Sequence, residues 1–147
     1  MKLTSKCKYG ARLMLDLALH HGAGSVMLKD IAKRQEISEK YLSQIIIPLK
    51  SAGYITSTRG AHGGYLLAQS ADSITLRGIV ATLEGNSRII DCGACKRSAA
   101  CAMKDIWCRL DNIISDFLGG ITLRVLADEA RKYSSKQCAM KCHAMSF

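Results

Sequence analysis

A pair of short amphipathic helices followed by a glycine-rich hairpin restricts the fold of this chain more than any other feature. The helices are predicted at residues 28–35 and 38–52, with a brief break between them. Two short strands follow at residues 54–58 and 65–68, joined by the segment RGAHGG. This order is typical of a helix-turn-helix with a β-hairpin wing, in which the second helix lies in the DNA major groove. The sequence therefore predicts a mainly α fold with a small β-hairpin wing.

The second helix of this pair has one apolar and one polar face. Its predicted buried residues recur at helical spacing: Leu42, Ile45, Ile46 and Leu49. Ser38 is suited to cap the helix, and Pro48 is expected to bend its last turn. Arg59 lies at the hairpin tip, where it could enter a minor groove or remain a solvated surface residue. The candidate DNA contacts are Ser38, Lys40, Ser43, Gln44 and Arg59.

The charge distribution favours a polyanionic partner. The net charge is +9, and residues 1–69 hold ten basic and four acidic side chains against eleven and eight in residues 70–147. A basic first half is typical of binding to nucleic acid or to an anionic membrane surface, although ordinary solubility charge would give a similar composition.

The N-terminal segment is predicted to be a helix rather than a targeting sequence. Thr4 or Ser5 can cap a helix that runs to His21, and Arg12 and Asp16 interrupt its apolar residues. No stretch approaches the roughly 18 uninterrupted apolar residues that a membrane span needs. The sequence predicts a cytoplasmic protein without a membrane partner.

A long helix with heptad spacing is predicted between Met103 and Leu118. The apolar positions of its seam are Met103, Trp107, Leu110, Ile114 and Phe117. Such a helix packs on its own domain or pairs with a second copy, and a homodimer would suit a palindromic operator. A shorter helix is predicted at residues 122–133, and residues 134–147 lack core periodicity and are expected to form a mobile tail.

Seven cysteines stand at positions 7, 92, 95, 101, 108, 138 and 142, and four of them fall within 17 residues with the spacing C-x2-C-x5-C-x6-C. Clustered cysteines in a reducing compartment bind metal or sense redox state more often than they form disulfides. An iron–sulfur cluster, zinc and a metal-free thiol switch are all compatible with this spacing. Zinc sites usually pair two C-x2-C units, and this segment has one.

Five stretches, in order along residues 1–130, carry a family resemblance: MKLTSKCKYGARLMLDLAL, LKDIAKRQEISEKYLSQI, PLKSAGYITSTRGAHGGYLLA, ITLRGIVATLEG and FLGGITLRVLAD. They resemble the bacterial winged-helix family of iron–sulfur cluster-sensing transcription regulators, which includes the IscR, NsrR and CymR types, and the IscR type is the nearest. The segments YLSQI and RG-x-x-GGYLLA are the most specific. The family's wing commonly contains RGPGGGY, from which Ala61 and His62 depart.

The resemblance implies an iron–sulfur cluster, with a [2Fe–2S] type favoured over a [4Fe–4S] type, held by Cys92, Cys95 and Cys101. IscR-type members often supply a histidine three residues after the last of these, where this chain has Lys104. The candidate fourth ligands are Cys108 and Cys7, ahead of Asp105. Cys108 lies seven residues after Cys101, about 10.5 Å along a helix axis, which is too far for one cluster unless Cys101 precedes the helix.

The resulting domain assignment has four parts: a winged helix-turn-helix at 1–85, a cluster-binding loop at 86–101, the dimerisation and C-terminal helices at 102–133, and a tail at 134–147. The tail contains Cys138 and Cys142, whose roles stay open.

No phosphate-binding loop or nucleophile–base arrangement indicates an enzyme. The resemblance implies a repressor that binds double-stranded DNA and responds to cluster or iron supply, oxygen or nitric oxide. The alternative is a cluster-free regulator of the cysteine-metabolism repressor type, controlled by thiol oxidation or by a partner protein.

Overall fold

The computed structural model describes residues 3–60, 63–85 and 101–144, with side chains as far as residue 133. The elements in chain order are α1 (Ser5–Leu19), α2 (Leu28–Gln35), α3 (Glu39–Ser51), β1 (Ile55–Thr58), β2 (Gly64–Leu67), α4 (Leu76–Glu84), α5 (Lys104–Gly119) and α6 (Leu123–Ala144). β1 and β2 pair antiparallel, with Ile55 opposite Leu67 and Thr58 opposite Gly64. The predicted mainly α fold with a β-hairpin is confirmed. No helix in the described ranges is long and apolar enough to cross a membrane.

The helix boundaries follow from local capping. The Thr4 hydroxyl accepts a hydrogen bond from Cys7 N at 3.2 Å, and the Ser38 hydroxyl accepts one from Tyr41 N at 3.3 Å. Between α2 and α3, Glu36 adopts a left-handed conformation with φ of 55°, and Ile37 N donates to the Ala32 carbonyl at 3.1 Å. The predicted break at residues 36–37 is thus a tight turn, as a helix-turn-helix requires.

The core is formed by the apolar faces of α1 to α4, the hairpin and the start of α6. The predicted inward residues of the first three helices are buried: Leu13, Leu17, Ile31, Ala32, Leu42, Ile45, Ile46 and Leu49. A further helix, α4, is capped by Thr75 and buries Ile79, Val80 and Leu83. Gly10 lies so close to Leu83 that a Cβ there would overlap the leucine side chain. α1 and α4 are therefore in tight contact.

Backbone pairing also fixes the start of α6 to the segment before α4. Leu76 N donates to the Ile121 carbonyl at 2.8 Å, and Leu123 N donates to the Ile74 carbonyl at 2.9 Å. Thr75 and Thr122 form an antiparallel bridge between these bonds. The C-terminal end of α5 is consequently held next to the N-terminus of α4.

α1 ends at Leu19 with His20 as its cap, close to the end predicted near His21. The predicted end of the last helix is wrong, because α6 continues to Ala144 instead of ending near Tyr133. Much of the segment predicted as a tail is therefore helical. This segment contains good helix formers such as Lys, Gln, Ala and Met and no Gly or Pro. The prediction was based on the lack of apolar periodicity, which indicates whether a helix face is buried and not whether a helix forms.

A buried carboxylate joins α1 to α2. Asp16 is 3% exposed and accepts hydrogen bonds from Arg34 Nε at 3.0 Å, Arg34 Nη2 at 2.6 Å and Gln35 Nε2 at 2.8 Å. Burial alone would raise the pKa of Asp16, but these hydrogen bonds and the Arg34 charge outweigh it and lower the pKa. The carboxylate thus stabilises the fold in its ionised form.

We expect Asp16→Asn to lower the free energy of unfolding by about 2 kcal/mol, because it leaves the Arg34 charge without its buried partner. Urea denaturation at neutral pH measures this change. The pKa of Asp16 is lower in the folded protein than in the unfolded chain. Its contribution to the free energy of unfolding is therefore fully present at pH values above the unfolded pKa, and it is lost as the pH falls through the folded pKa. The variant should therefore lose less stability in acid than the wild type. Asp72→Asn is the control, because the contacts of Asp72 are exposed, an ion pair with Arg124 at 3.5 Å and a hydrogen bond accepted from Ser70 Oγ at 3.2 Å; equal effects of both variants would contradict the prediction.

Candidate nucleic-acid interface and metal ligands

The outward face of α3 carries the predicted base-contacting side chains. Lys40 and Gln44 are exposed, and Ser43 is partly exposed with its hydroxyl donating to the Glu39 carbonyl at 2.9 Å. Ser38 is exposed at the N-terminus of α3, where its hydroxyl is occupied as the helix cap. Lys40, Ser43 and Gln44 lie away from the buried face of α3, as predicted from helical phase, and Ser38 precedes the helix as its cap.

α3 is held by aromatic and polar contacts with α1 and α2. The rings of Tyr9 and Tyr41 meet edge-on with centroids 5.9 Å apart, and the Arg12 guanidinium lies 5.7 Å from the Tyr9 centroid. Arg12 also donates to the side chain and the carbonyl of Gln35, at 2.9 and 3.0 Å. These contacts fix the orientation of the exposed face, so that its side chains start from a defined geometry.

The wing is joined to α3 and to the segment before α2. Lys50 Nζ donates to Ser57 Oγ at 2.7 Å, which connects the end of α3 to β1. On the other side, Val26 and Tyr65 exchange backbone hydrogen bonds of 3.0 and 2.9 Å. Arg59 is exposed at the end of β1 and lines one open concavity with Leu28, the first residue of α2. The departures at positions 61 and 62 lie outside the described residues.

Arg59 and the residues at the N-terminus of α2 line the same concavity, and a cation is suited to phosphate oxygens. Met27, which precedes α2, provides no side-chain cap for that helix. Lys50 joins the end of α3 to the wing that carries Arg59, and we call the exposed polar side chains of α3 together with Arg59 the basic and polar surface. The link between Lys50 and Ser57 was not predicted, because it depends on the register of β1 against α3.

Two of the predicted metal ligands lie near the start of α5. Cys101 is exposed and precedes the helix, with its carbonyl accepting from Lys104 N at 3.1 Å. Cys108 and Asp105 are exposed on the helix itself. The axial distance given above between Cys101 and Cys108 assumes that both residues lie on one continuous helix. Because Cys101 lies before the helix, that distance does not exclude Cys108 as a ligand of the same cluster. Cys92 and Cys95 lie outside the described residues, and within those residues no three metal-binding side chains come together.

The thiols of Cys101 and Cys108 suit a metal or a redox partner chemically. Both are free and exposed, which gives iron or an oxidant direct access to sulfur.

Cys7 has the opposite environment. It is buried on α1, and burial, followed by the nearby Glu84 carboxylate, raises its pKa to about 11. Glu84 Oε1 also accepts hydrogen bonds from Thr4 N and Thr4 Oγ1, both at 2.8 Å. Since metal binding requires the thiolate, Cys7 is poorly suited to be a ligand in this conformation.

α5 presents an apolar stripe to solvent. Its most exposed apolar residues, with the preceding Met103, form what we call the exposed stripe: Met103, Ile106, Leu110, Ile113 and Phe117. Ile113 is 63% exposed and Phe117 68% exposed, whereas Trp107 and Ile114 of the predicted seam are half-buried. The exposed apolar residues recur at three- and four-residue steps, as in the predicted seam. They include Ile106 and Ile113, which the sequence analysis omitted. Apolar area of this kind is typical of a helix that pairs with another helix.

The chain matches the Rrf2 family model, described as an iron-dependent transcriptional regulator, over residues 3–129. The protein rrf2 of Nitratidesulfovibrio vulgaris is 40% identical over 148 residues, which cover 98% of this chain and 99% of that protein. The solved structure of CymR, the global cysteine regulator of B. subtilis, aligns with a TM-score of 0.78 and 35% identity over 88% of this chain and 98% of that one. T. potens IscR aligns with a TM-score of 0.75 and 38% identity over 88% of each chain.

Proposed function

The chain belongs to the Rrf2 family of transcriptional regulators, and we propose that it is a dimeric DNA-binding repressor controlled by a cysteine-ligated iron–sulfur cluster. The family resemblance recognised in the sequence is confirmed, with IscR and CymR proteins both among its relatives. The observation that carries the proposal is the position of the exposed Cys101 and Cys108 at the start of the helix with the exposed stripe. Ligand binding and subunit pairing are thereby assigned to one element.

For DNA binding, Lys40, Ser43 and Gln44 face base edges in the major groove, and Arg59 contacts the minor groove or phosphates. Ser38 contributes as the cap that sets the N-terminus of α3. Two copies joined through the exposed stripe would present two such helices to a palindromic operator.

We expect Gln44→Ala and Arg59→Ala to weaken binding in different ways. The loss of the Gln44 amide should change preference at one base pair per half-site, because a good base contact discriminates by about 1–3 kcal/mol. The loss of Arg59 should weaken binding to all sequences and reduce its salt dependence. Fluorescence anisotropy on a selected operator and its single-base variants, across a salt series, measures both. Wild-type binding by both variants would contradict this interface.

For the switch, we assign Cys92, Cys95 and Cys101 as cluster ligands and Cys108 as the fourth. The burial and raised pKa of Cys7 favour Cys108 over it, and Asp105 is the remaining exposed alternative. A bound iron–sulfur cluster supplies redox activity and a dependence on iron, with a [2Fe–2S] type preferred. The chain's part is to hold the thiolates beside the first turn of α5, so that ligation alters the helix that joins two subunits.

The second candidate function is a cluster-free regulator that responds to thiol oxidation or to a partner protein. The structural similarity to CymR, the global cysteine regulator, favours this alternative, and free exposed thiols also suit it.

Anaerobic purification with iron and sulfide analysis, followed by DNA binding before and after cluster removal, separates the two candidates. The proposal expects a brown protein with bound iron and sulfide and absorption between roughly 320 and 460 nm. It also expects operator affinity to change when the cluster is removed. A colourless, iron-free protein whose DNA binding responds to oxidants would support the alternative instead.

A further inference from the structure

Ile47 is an apolar side chain on the polar face of α3, and it is 64% exposed. It continues the outward stripe of Lys40, Ser43 and Gln44 at the spacing of one helix face. In the described part of residues 3–85, the other large exposed apolar side chain is Leu3 near the N-terminus, and the rest lie beyond residue 100. Ile47 is thus separate from the exposed stripe of α5.

Folding gives no evident reason for isoleucine at this position. A β-branched side chain is a weaker helix former than the Lys, Gln or Glu residues that usually occupy exposed helix positions. Nor does Ile47 belong to an extended apolar patch of the kind that binds another protein, since the neighbouring exposed positions Lys40, Gln44 and Lys50 are polar or charged. The position of Ile47 within the basic and polar surface points instead to a small apolar group on DNA.

We propose that Ile47 packs against the C5-methyl group of a thymine in the major groove and so selects a T·A pair at one position of each half-site. This inference rests on the proposed DNA-binding function and names a further specificity-determining residue within it. The thymine methyl is the apolar group that the major groove presents, and aliphatic side chains are its usual partners.

The geometry of α3 supports a single contact next to that of Gln44. Three residues rise about 4.5 Å along a helix, close to the spacing of neighbouring base pairs, so Ile47 follows Gln44 along the groove. Its β-branched side chain has one strongly preferred rotamer in a helix, so little side-chain freedom is lost on contact. Lys50, one turn further on, is bound to Ser57 of the wing, which fixes this end of α3.

Thymine-to-uracil substitution tests the contact, because uracil lacks only the methyl group. An operator selected from random duplexes is made with each thymine of one half-site replaced singly by uracil, and Kd is measured by fluorescence anisotropy at fixed salt. We expect one replacement to weaken wild-type binding about threefold to fivefold, the loss typical of one buried methyl group. In Ile47→Ala the same replacement should have no effect, and in Ile47→Val the effect should largely remain.

The outcomes are distinguishable. An equal effect of the uracil in wild type and Ile47→Ala would overturn the assignment to Ile47, and so would a half-site in which no thymine methyl matters. A change of oligomeric state in Ile47→Ala with unchanged Kd would show that Ile47 contacts protein and would also overturn it. Absence of any DNA binding by the wild type would instead refute the proposed function itself. Thermal denaturation should show no loss of stability in either variant, because Ile47 is outside the core and alanine is the stronger helix former.

Discussion

Leu110→Asp should convert the protein into a monomer that binds its operator at least about a hundredfold more weakly. Leu110 lies at the centre of the exposed stripe, and a carboxylate there would be desolvated without a partner in a paired helix. Because linked binding of two half-sites typically gains 10² to 10⁴ in affinity, separated subunits lose this factor. Sedimentation velocity and anisotropy on the same sample measure the two effects. Asn112→Asp adds the same charge to an exposed polar position of α5 and should leave the dimer intact.

A paired comparison tests which apolar positions form the interface. Ile113→Asp should disrupt the dimer, because Ile113 is exposed in a single subunit and free to pack on a partner. Ile114→Asp should act mainly by lowering the stability of the subunit, since Ile114 is half-buried. An unchanged dimer in both Leu110→Asp and Ile113→Asp would place the interface elsewhere.

Single replacement of Cys92, Cys95 or Cys101 by Ala should remove bound iron and change operator affinity by several-fold to a hundredfold. A coupling of about 1–3 kcal/mol between ligand and operator binding is sufficient for this range. Iron and sulfide content and Kd are measured on the same anaerobic preparations. Cys138→Ala is the matched control, because it removes a thiol far along the chain from the predicted ligands. By reciprocity, the favoured operator should in turn stabilise the favoured cluster state.

The fourth ligand can be identified in the same series. Cys108→Ala should lose iron, whereas Cys7→Ala should retain it, because the Cys7 thiol is buried beside Glu84 with a raised pKa. Retention of iron by Cys108→Ala, with loss in Asp105→Ala, would move the ligand to the carboxylate. If the variants of Cys92, Cys95 and Cys101 lost iron but kept unchanged affinity for every operator, the cluster would not control DNA binding.

The sequence was most informative where one helix face is buried by its own domain. The inward and outward faces of α3 were predicted correctly, because Leu42, Ile45 and Leu49 recur at the spacing of a helix whose polar residues fall between them. On α5, heptad spacing allowed two neighbouring stripes, one with Trp107 and Ile114 and the other with Ile106 and Ile113. Only the packing of α5 against α4 shows which stripe stays exposed, and this tertiary contact has no local signature.

Other parts of the site depend on features that periodicity does not report. The state of Cys7 is set by Glu84, which is distant in sequence and becomes its neighbour through the packing of α1 on α4. Ile47 has the phase of an outward residue, but its apolar character does not by itself indicate a role in binding. The assignment of Cys92 and Cys95 stays a prediction from spacing and family resemblance.

The backbone bridge between Thr75 and Thr122 fixes only one end of α5. The C-terminal end of the helix is held beside the start of α4, while Cys101 lies just before the opposite, N-terminal end. Sixteen residues correspond to an arm of roughly 24 Å, so a displacement of about 2 Å at the thiol end is a rotation of about 5° around the fixed end. Because α1 packs tightly on α4 through Gly10 and Leu83, we expect α3 and the wing to rotate together with α4 as one rigid body about the fixed end of α5. A signal would then change the separation of the two half-site contacts while each contact surface keeps its shape.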